Sequence, residues 1–441
     1  MAFVHPQSCE CSKSELDIFL VPPTQTSIES GGWVEYNPIS SIADGTAIEF
    51  SVGGSGQDYI DLANTQLYVR AQLMKNNNTP IDNADHVAPT NLFLHSLFSE
   101  IDLKLNDTLV SSNNSTYAYR AYLESVLSLG PAAKESQLTS ALYYKDKSGH
   151  LEDANPLDAN AENQGLKSRH ALVDNGRVVD MLGCIHSDLF FQDKYLPSDI
   201  GLRVRLVRNK DAFCLMSDTP QHGFKVRILD CKLFVRKVKL SPSVFLAHAK
   251  ALEHGNAKYP IRRVVCKTFT VPRGNLDFSQ ESLFSGQLPT RLVIACVDND
   301  AFNGNYQRNP FNFKNYNLTQ LKLYLDGQQQ HHVRPLEPNF AEHQYIGAYM
   351  SLFSGTGKLQ KDEGNAINRT DFPGGYAIYA FDLTPDLAEE GHFNLARDGS
   401  VRVDMKFANA LPNTINVIAY AEFENVIEID RNRNVLFDYT N

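Results

Sequence analysis

Three observations predict a mainly β chain folded as two tandem eight-stranded jelly rolls, a double jelly roll, with short inserted helices. Apolar residues alternate in many short runs, helical spacing is scarce, and one order of strand, turn and helix is written twice. The repeat is the most specific of the three: IDLKLND at 101–107 returns as LKLYLDG at 321–327.

Along the chain, TAIEFSV (46–52), TQLYVRAQL (65–73), LRVRL (202–206), ILDCKLFVRKVKL (228–240), RLVIACV (291–297), LKLYL (321–325), YAIYAFDL (376–383), VRVDMKF (401–407) and INVIAYAEFENVIEI (415–429) read as strands. Each alternates with period two and is rich in branched and aromatic side chains, as a half-buried strand requires. The best helical spacing lies in STYAYRAYLESVLSL (115–129), PSVFLAHAKAL (242–252) and NFAEHQYIGAYMSLF (339–353).

The second half lies over the first in six ordered matches. EFSVGGSG (49–56) falls on TFTVPRG (268–274), with Phe50 over Phe269, and TQLYV (65–69) on TRLVI (290–294). Ile101, Leu103 and Leu105 fall on Leu321, Leu323 and Leu325, and Asn106-Asp107 on Asp326-Gly327, both favoured hairpin pairs. Then Tyr119, Ser125 and Ser128 fall on Tyr345, Ser351 and Ser354, LRVRL on VRVDM (401–405), and VKLS (238–241) on IEID (427–430). Ordered pairing of three element types points to an internal duplication. The offset drops between the helix and LRVRL, which implies extra residues in the first half, between about 131 and 201. The polar, aperiodic stretch 143–170 is expected to be an exposed insertion loop. The division expected is an N-terminal arm at 1–30, a first jelly roll at 31–241 and a second at 242–441.

The 441 residues are 42% hydrophobic and 21% charged, a globular composition, with a formal charge of −10. No basic run exists, and the first thirty residues carry Lys13 against Glu10, Glu15, Asp17 and Glu29, so the tail is not a nucleic-acid arm. No secretory signal or membrane-length apolar stretch is seen. Of seven cysteines, Cys184, Cys214, Cys231, Cys266 and Cys296 read as buried thiols. Cys9 and Cys11 stand too close together for a zinc knuckle. Asn-X-Ser/Thr sites at Asn77, Asn106, Asn113, Asn114, Asn317 and Asn368 read as polar loops.

Motifs for chemistry fail on inspection. SGTGK (354–358) has Leu352 where a phosphate loop needs Gly and Leu359 where it needs Ser or Thr, so it reads as a helix stop. GGSG (53–56) reads as a turn. His331 and His332 are adjacent and would point to opposite faces of a strand. HExxH, CxxC, GxSxG and His-X-His are all missing. Catalytic, cofactor-binding and metal residues are therefore assigned to none, and an enzyme is not expected.

The run SGGWVEYNPISSIADGTAIEFSVGGSGQDYIDLANTQLYVRAQL (30–73), LFSEIDLKLND (97–107) and the closing strands 415–430 resemble the major capsid protein of Polinton (Maverick) elements and adintoviruses. The resemblance implies a hexon-type double jelly roll that trimerises into pseudo-hexagonal capsomers and tiles an icosahedral shell. It implies a separate single jelly-roll penton protein as partner, no catalytic residues, and a location in the virion, assembled in the nucleus or cytoplasm and not secreted. Net negative charge suits a shell that does not itself condense a genome, so no sequence-specific nucleic-acid contact is expected. Residues 1–30, with Phe19 and the neighbouring Trp33 in little strand pattern, are expected to pack under a neighbouring subunit, and 143–170 to project outward. The alternative is a carbohydrate-binding β-sandwich, a lectin or adhesin.

Overall fold

The computed structural model describes residues 4–437 apart from 43–44, 55, 112–114, 220, 222, 327, 330–333 and 388–390. Eight strands build the first roll: β1 (Ile28–Tyr36), β2 (Ile48–Val52), β3 (Asp58–Lys75), β4 (Phe98–Leu105), β5 (Thr108–Ser111), β6 (Val178–Cys184), β7 (Leu202–Arg208) and β8 (Phe224–Leu240), beside a two-residue pair, Ala88–Pro89 with Leu215–Met216. They form two antiparallel sheets, ordered β1-β8-β3-β6 and β2-β7-β4-β5. Eight build the second: β9 (Ala257–Val271), β10 (Asp277–Gln287), β11 (Arg291–Asp298), β12 (Leu318–Leu325), β13 (Gln328–Gln329), β14 (Ile378–Asp382), β15 (Asp398–Phe407) and β16 (Ile415–Ile429), beside the short pair Phe313–Lys314 with Gly374–Gly375. They repeat both orders, as β9-β16-β11-β14 and β10-β15-β12-β13, with Val435–Leu436 added beside β16. Strand for strand, the second roll copies the first. The chain is a double jelly roll.

The alternation seen in the sequence is the alternation of burial. Ile48, Phe50 and Val52 are buried in β2 while Ser51 faces water, and Ile101, Leu103 and Leu105 are buried in β4 while Lys104 is exposed. Asn106 and Asp107 join β4 to β5 at φ 45° and 71°. Two left-handed residues are what a tight hairpin turn needs, and Asn and Asp tolerate that conformation. Asp326 opens the matching turn at φ 52°; Gly327 lies outside the described residues. Two Asn-X-Thr sites prove to be turn chemistry, because Asn77 and Asn368 accept hydrogen bonds from the hydroxyls of Thr79 and Thr370. Asn113 and Asn114 lie outside the described residues.

Four longer helices punctuate the rolls: α1 (Tyr117–Ser128), α2 (Gln164–Val173), α3 (Pro242–Leu252) and α4 (Ile346–Ser354). The expected helices at 115–129 and 242–252 are α1 and α3, and the one at 339–353 begins later, at Ile346. α1 and α4 occupy the same place in the two rolls. α3 links the rolls.

One of the six repeat matches is corrected. Phe50 lies in β2, the second strand of its roll, but Phe269 lies in β9, the first strand of the other. The counterpart of β2 is β10. Both misaligned segments end in a β-run followed by a glycine turn, which strand patterning cannot tell apart. Trp33, expected in little strand pattern, lies in β1 opposite Arg236 of β8.

The expected exposed loop at 143–170 is also corrected. The connection does run longer in the first half, from 129 to 177 against 355 to 377 in the second. Yet Tyr143, Asp146, Leu151, Asn163, Leu166, Arg169 and His170 are buried. Arg169 bonds Asp146 at 2.7 Å and donates to the carbonyls of Pro89 and Tyr144. Tyr376, Asn309 and Asn312 of the second roll then bond Asp146, Asp146 and Glu152. Most of these buried polar groups are satisfied by one another, while the side-chain nitrogen of Asn163 has no hydrogen-bond partner among the described residues. Only 157–160 form a continuous exposed tip. Limited proteolysis is therefore expected to cut at 157–160 and within 4–27 while 143–152 stays protected, as mass spectrometry of the fragments would show. Early cuts inside 143–152 would mean that the clamp onto the second roll is loose.

Candidate functional site: the seam between the rolls

One continuous buried apolar cluster runs through both rolls. At its centre lies α1. From Tyr117 to Leu127 only Glu124 escapes full burial, so the helix is apolar nearly all round, as a helix enclosed on every side must be. Its tyrosines meet the second roll. Tyr122 stacks on Phe311 with ring centroids 4.2 Å apart, and Tyr119 stacks on Phe302 at 5.5 Å.

The polar residues of α1 make the second join. Arg120 is fully buried, and its guanidinium donates to Glu124 at 2.8 Å and to Asp188 at 2.6 Å. Asp188 also accepts the backbone N–H of Val264 in β9, at 3.1 Å. Glu124 pairs with Nδ1 of His186 at 2.7 Å and accepts the hydroxyl of Tyr420 in β16 at 3.3 Å. Tyr420 also donates to Glu422, which pairs with Arg291. The chain of bonds therefore starts in the first roll and ends in the second. Burial opposes the charge on Arg120, but Asp188 and Glu124 outweigh it and hold the pKa above its usual value. Burial likewise pushes against ionised Glu124, yet Arg120 and His186 hold it below the usual carboxylate range.

A cleft of about 1100 Å³ opens along this seam. Phe191 and Phe393, each 53% exposed, lie at it. Glu124, Ser125, Cys184 and His186 also line it, which invites a nucleophile reading. Among the described residues, neither Ser125 nor Cys184 hydrogen-bonds to His186. Desolvation at the cleft wall, with the Glu124 carboxylate nearby, pushes the thiol of the surface-exposed Cys184 up to about 11, which keeps it protonated at neutral pH. His95, beside His186 at 4.6 Å between ring centroids, is held well below its usual pKa by burial. The bonds of Asp188 to Val264 and of Glu124 to Tyr420 join the two rolls at this cleft.

Lysines make a third join. Lys134 donates to the carbonyls of Val126 in α1 and Asn365 in the second roll, at 2.7 and 2.6 Å. Lys358 donates to Ser128 at the end of α1, and Lys145 to Ala366 and Asp371. The helix has no cation in its own last turn, so cations from elsewhere meet its negative end.

The sequence motifs fall into place around these joins. Lys358 of SGTGK is committed to a helix end, and a Cβ on Gly355 would meet the Ala380 backbone at 2.4 Å. GGSG follows β2 and precedes β3. His331 and His332 lie outside the described residues. Cys214, Cys231 and Cys296 are buried as expected and Cys266 nearly so, but Cys184 is exposed to the cleft at the end of an edge strand. Among the described residues no group of three or more His, Cys, Asp or Glu is placed to hold a metal ion, and no helix is long and apolar enough to cross a membrane. The seam itself was missed by sequence reasoning, since its members come from separate segments.

The fold defines a class, the double jelly roll, and likeness to solved structures runs over the whole chain. A chain of the Sputnik virophage, solved by cryo-electron microscopy, matches with TM-score 0.70 at 11% identity, covering 100% of this chain and 95% of that one. The mavirus major capsid protein matches with TM-score 0.56 at 10% identity, over 99% and 95%. A curated relative, an uncharacterised protein of Caenorhabditis elegans, is 26% identical over 430 residues, 95% of this chain and 99% of its own length. No family model matches the chain.

Proposed function

We propose that this chain is a major capsid protein whose copies associate as homotrimers, each a pseudo-hexagonal capsomer of an icosahedral shell. The observation that supports this reading most is the strand-for-strand duplication fused through one core. Two like domains per chain give a three-fold object six similar corners, which is what hexagonal tiling requires. The full-length likeness to capsid proteins agrees with it. On this reading the protein is structural, resides in the virion after assembly inside the cell, and meets neighbouring capsomers and a single jelly-roll penton protein. Origin in a Polinton-type element or adintovirus is the finer form of the proposal.

The test is native mass by light scattering on a sizing column. A trimer of the 49.4 kDa chain, about 148 kDa, or a particle that dissociates to it, is the expected result. A monomer that stays monomeric across salt, pH and concentration would overturn the reading and direct attention to glycan screening.

A further inference from the structure

Two segments of the described chain leave apolar side chains in water. The first is the tail: Leu16, Ile18, Phe19, Leu20 and Val21 are each at least 73% exposed. The second is α3, which buries no residue fully. Val244 and Phe245 pack against the cluster of Tyr59, Val238 and Leu240, and His248 bonds the Tyr59 hydroxyl at 3.1 Å. Leu246 stands on the far side of the helix at 65% exposure, with Ser243 and Lys250 beside it, and the exposed Ala247, Ala249 and Ala251 lie on the flanks. Exposed apolar surface of this kind marks a contact site. The root of the tail meets the head of α3, where the backbone N–H of Ser241 donates to the carbonyl of Ser27 at 2.8 Å.

We propose that residues 16–21 of one subunit dock on the outer face of α3 of a second copy. The inference deepens the capsomer reading and rests on it. Three features select this occupant. Pro22 and Pro23 hold the root of the tail extended, so the apolar segment is carried away from its own α3, which it leaves exposed. Residues 22–27 span at most about 20 Å, a reach suited to an adjacent copy. The charges also match. Residues 4–27 carry Glu10, Glu15 and Asp17 against Lys13, whereas α3 and its flanks carry Lys237, Lys250 and Lys258 against Glu253, apart from Arg236 and Lys239, which pair with Asp61 and Glu29. An anionic bilayer would attract the basic stretch but repel the acidic arm.

The experiment is cross-linking between chains in a background where the exposed thiols Cys9, Cys11 and Cys184 are changed to Ser. Phe19→Cys and Leu246→Cys are made in separate chains, mixed, allowed to associate and oxidised. A dimer band that requires both variants is expected. The surface change Leu246→Asp, which touches no core residue, is expected to raise the concentration needed for association at least about tenfold. Trimers by light scattering without the mixed band would overturn the docking while leaving the capsomer reading intact. A monomer under every condition would overturn both. Cross-linking within a single dilute chain carrying both cysteines would assign the tail to its own helix and overturn the exchange. Flotation of the full chain with phosphatidylserine vesicles, lost in Leu246→Asp, would assign α3 to a membrane and overturn it too.

Discussion

Arg120→Met is expected to lower the melting temperature by about 3–5 °C. The substitution keeps most of the volume and removes the charge. Asp188 and Glu124 then remain buried with no cation between them, and stranding buried carboxylates costs about 3–5 kcal/mol. Unfolding entropy of roughly 2 cal/mol/K per residue converts that loss to about one degree per kcal/mol in a chain this long. The sign of the pH response follows. Without Arg120 the folded pKa of the carboxylates lies above the unfolded value, so the deficit is full at neutral pH and shrinks as acid protonates them. Arg120→Lys separates charge from geometry, because an ammonium replaces one charge but not the two-pronged contact. Its melting point is expected between wild type and Arg120→Met. Calorimetry at pH 7 and pH 5 checks both claims. A lysine variant as unstable as the methionine variant would show that fork geometry, not charge, carries the join.

The fold was legible because its regularities are local. Period-two runs such as 46–52 and 401–407 state which face is buried, and Asn106-Asp107 states where the chain reverses. The order of those signals, repeated, revealed the second roll. The Phe50 and Phe269 mismatch shows where that reading ends. Two strands of one sandwich carry the same pattern, so alternation places a strand on a core without saying which strand it is. The insertion at 143–170 failed for a different reason. Polarity was read as exposure, but Asp146 and Arg169 are buried because each satisfies the other, and pairing across 23 positions leaves no periodic trace. The seam was least legible of all. Arg120 sits among tyrosines in a helical pattern, Asp188 in a short turn and Tyr420 in a strand, and only the fold brings them together. Trp33 follows the same rule: one edge of β1 pairs with β8 while the indole lies 49% exposed near Arg236, so its side chain contributes little to the core.

Lys134 is expected to make the join between the rolls depend on pH. Its side chain is buried and its ammonium is bound by two carbonyls, of Val126 and Asn365. Burial pushes its pKa down to about 7, and the nearby Lys358 and Lys145 push the same way. An unfolded lysine titrates near 10.4. A depressed lysine pKa means that the folded state prefers the neutral amine. The folded protein is therefore favoured above the unfolded pKa, and that advantage is lost as pH falls from about 10.4 to about 7. At roughly 1.4 kcal/mol per pH unit, the change across the window is on the order of 4 kcal/mol. Lys134→Met removes the titration and leaves the Val126 and Asn365 carbonyls without this donor, so its effect at one pH mixes two terms of opposite sign. The slope separates them. The melting temperature of wild type relative to Lys134→Met is expected to rise steadily between pH 7 and pH 10 and to stay level below pH 7. Parallel curves through the whole window would place the titration elsewhere and leave Lys134 a simple hydrogen-bond donor to the end of α1. A rising difference would mean that the two rolls are held by a group that gains its charge near neutrality, so that the seam loosens first wherever protons are most available.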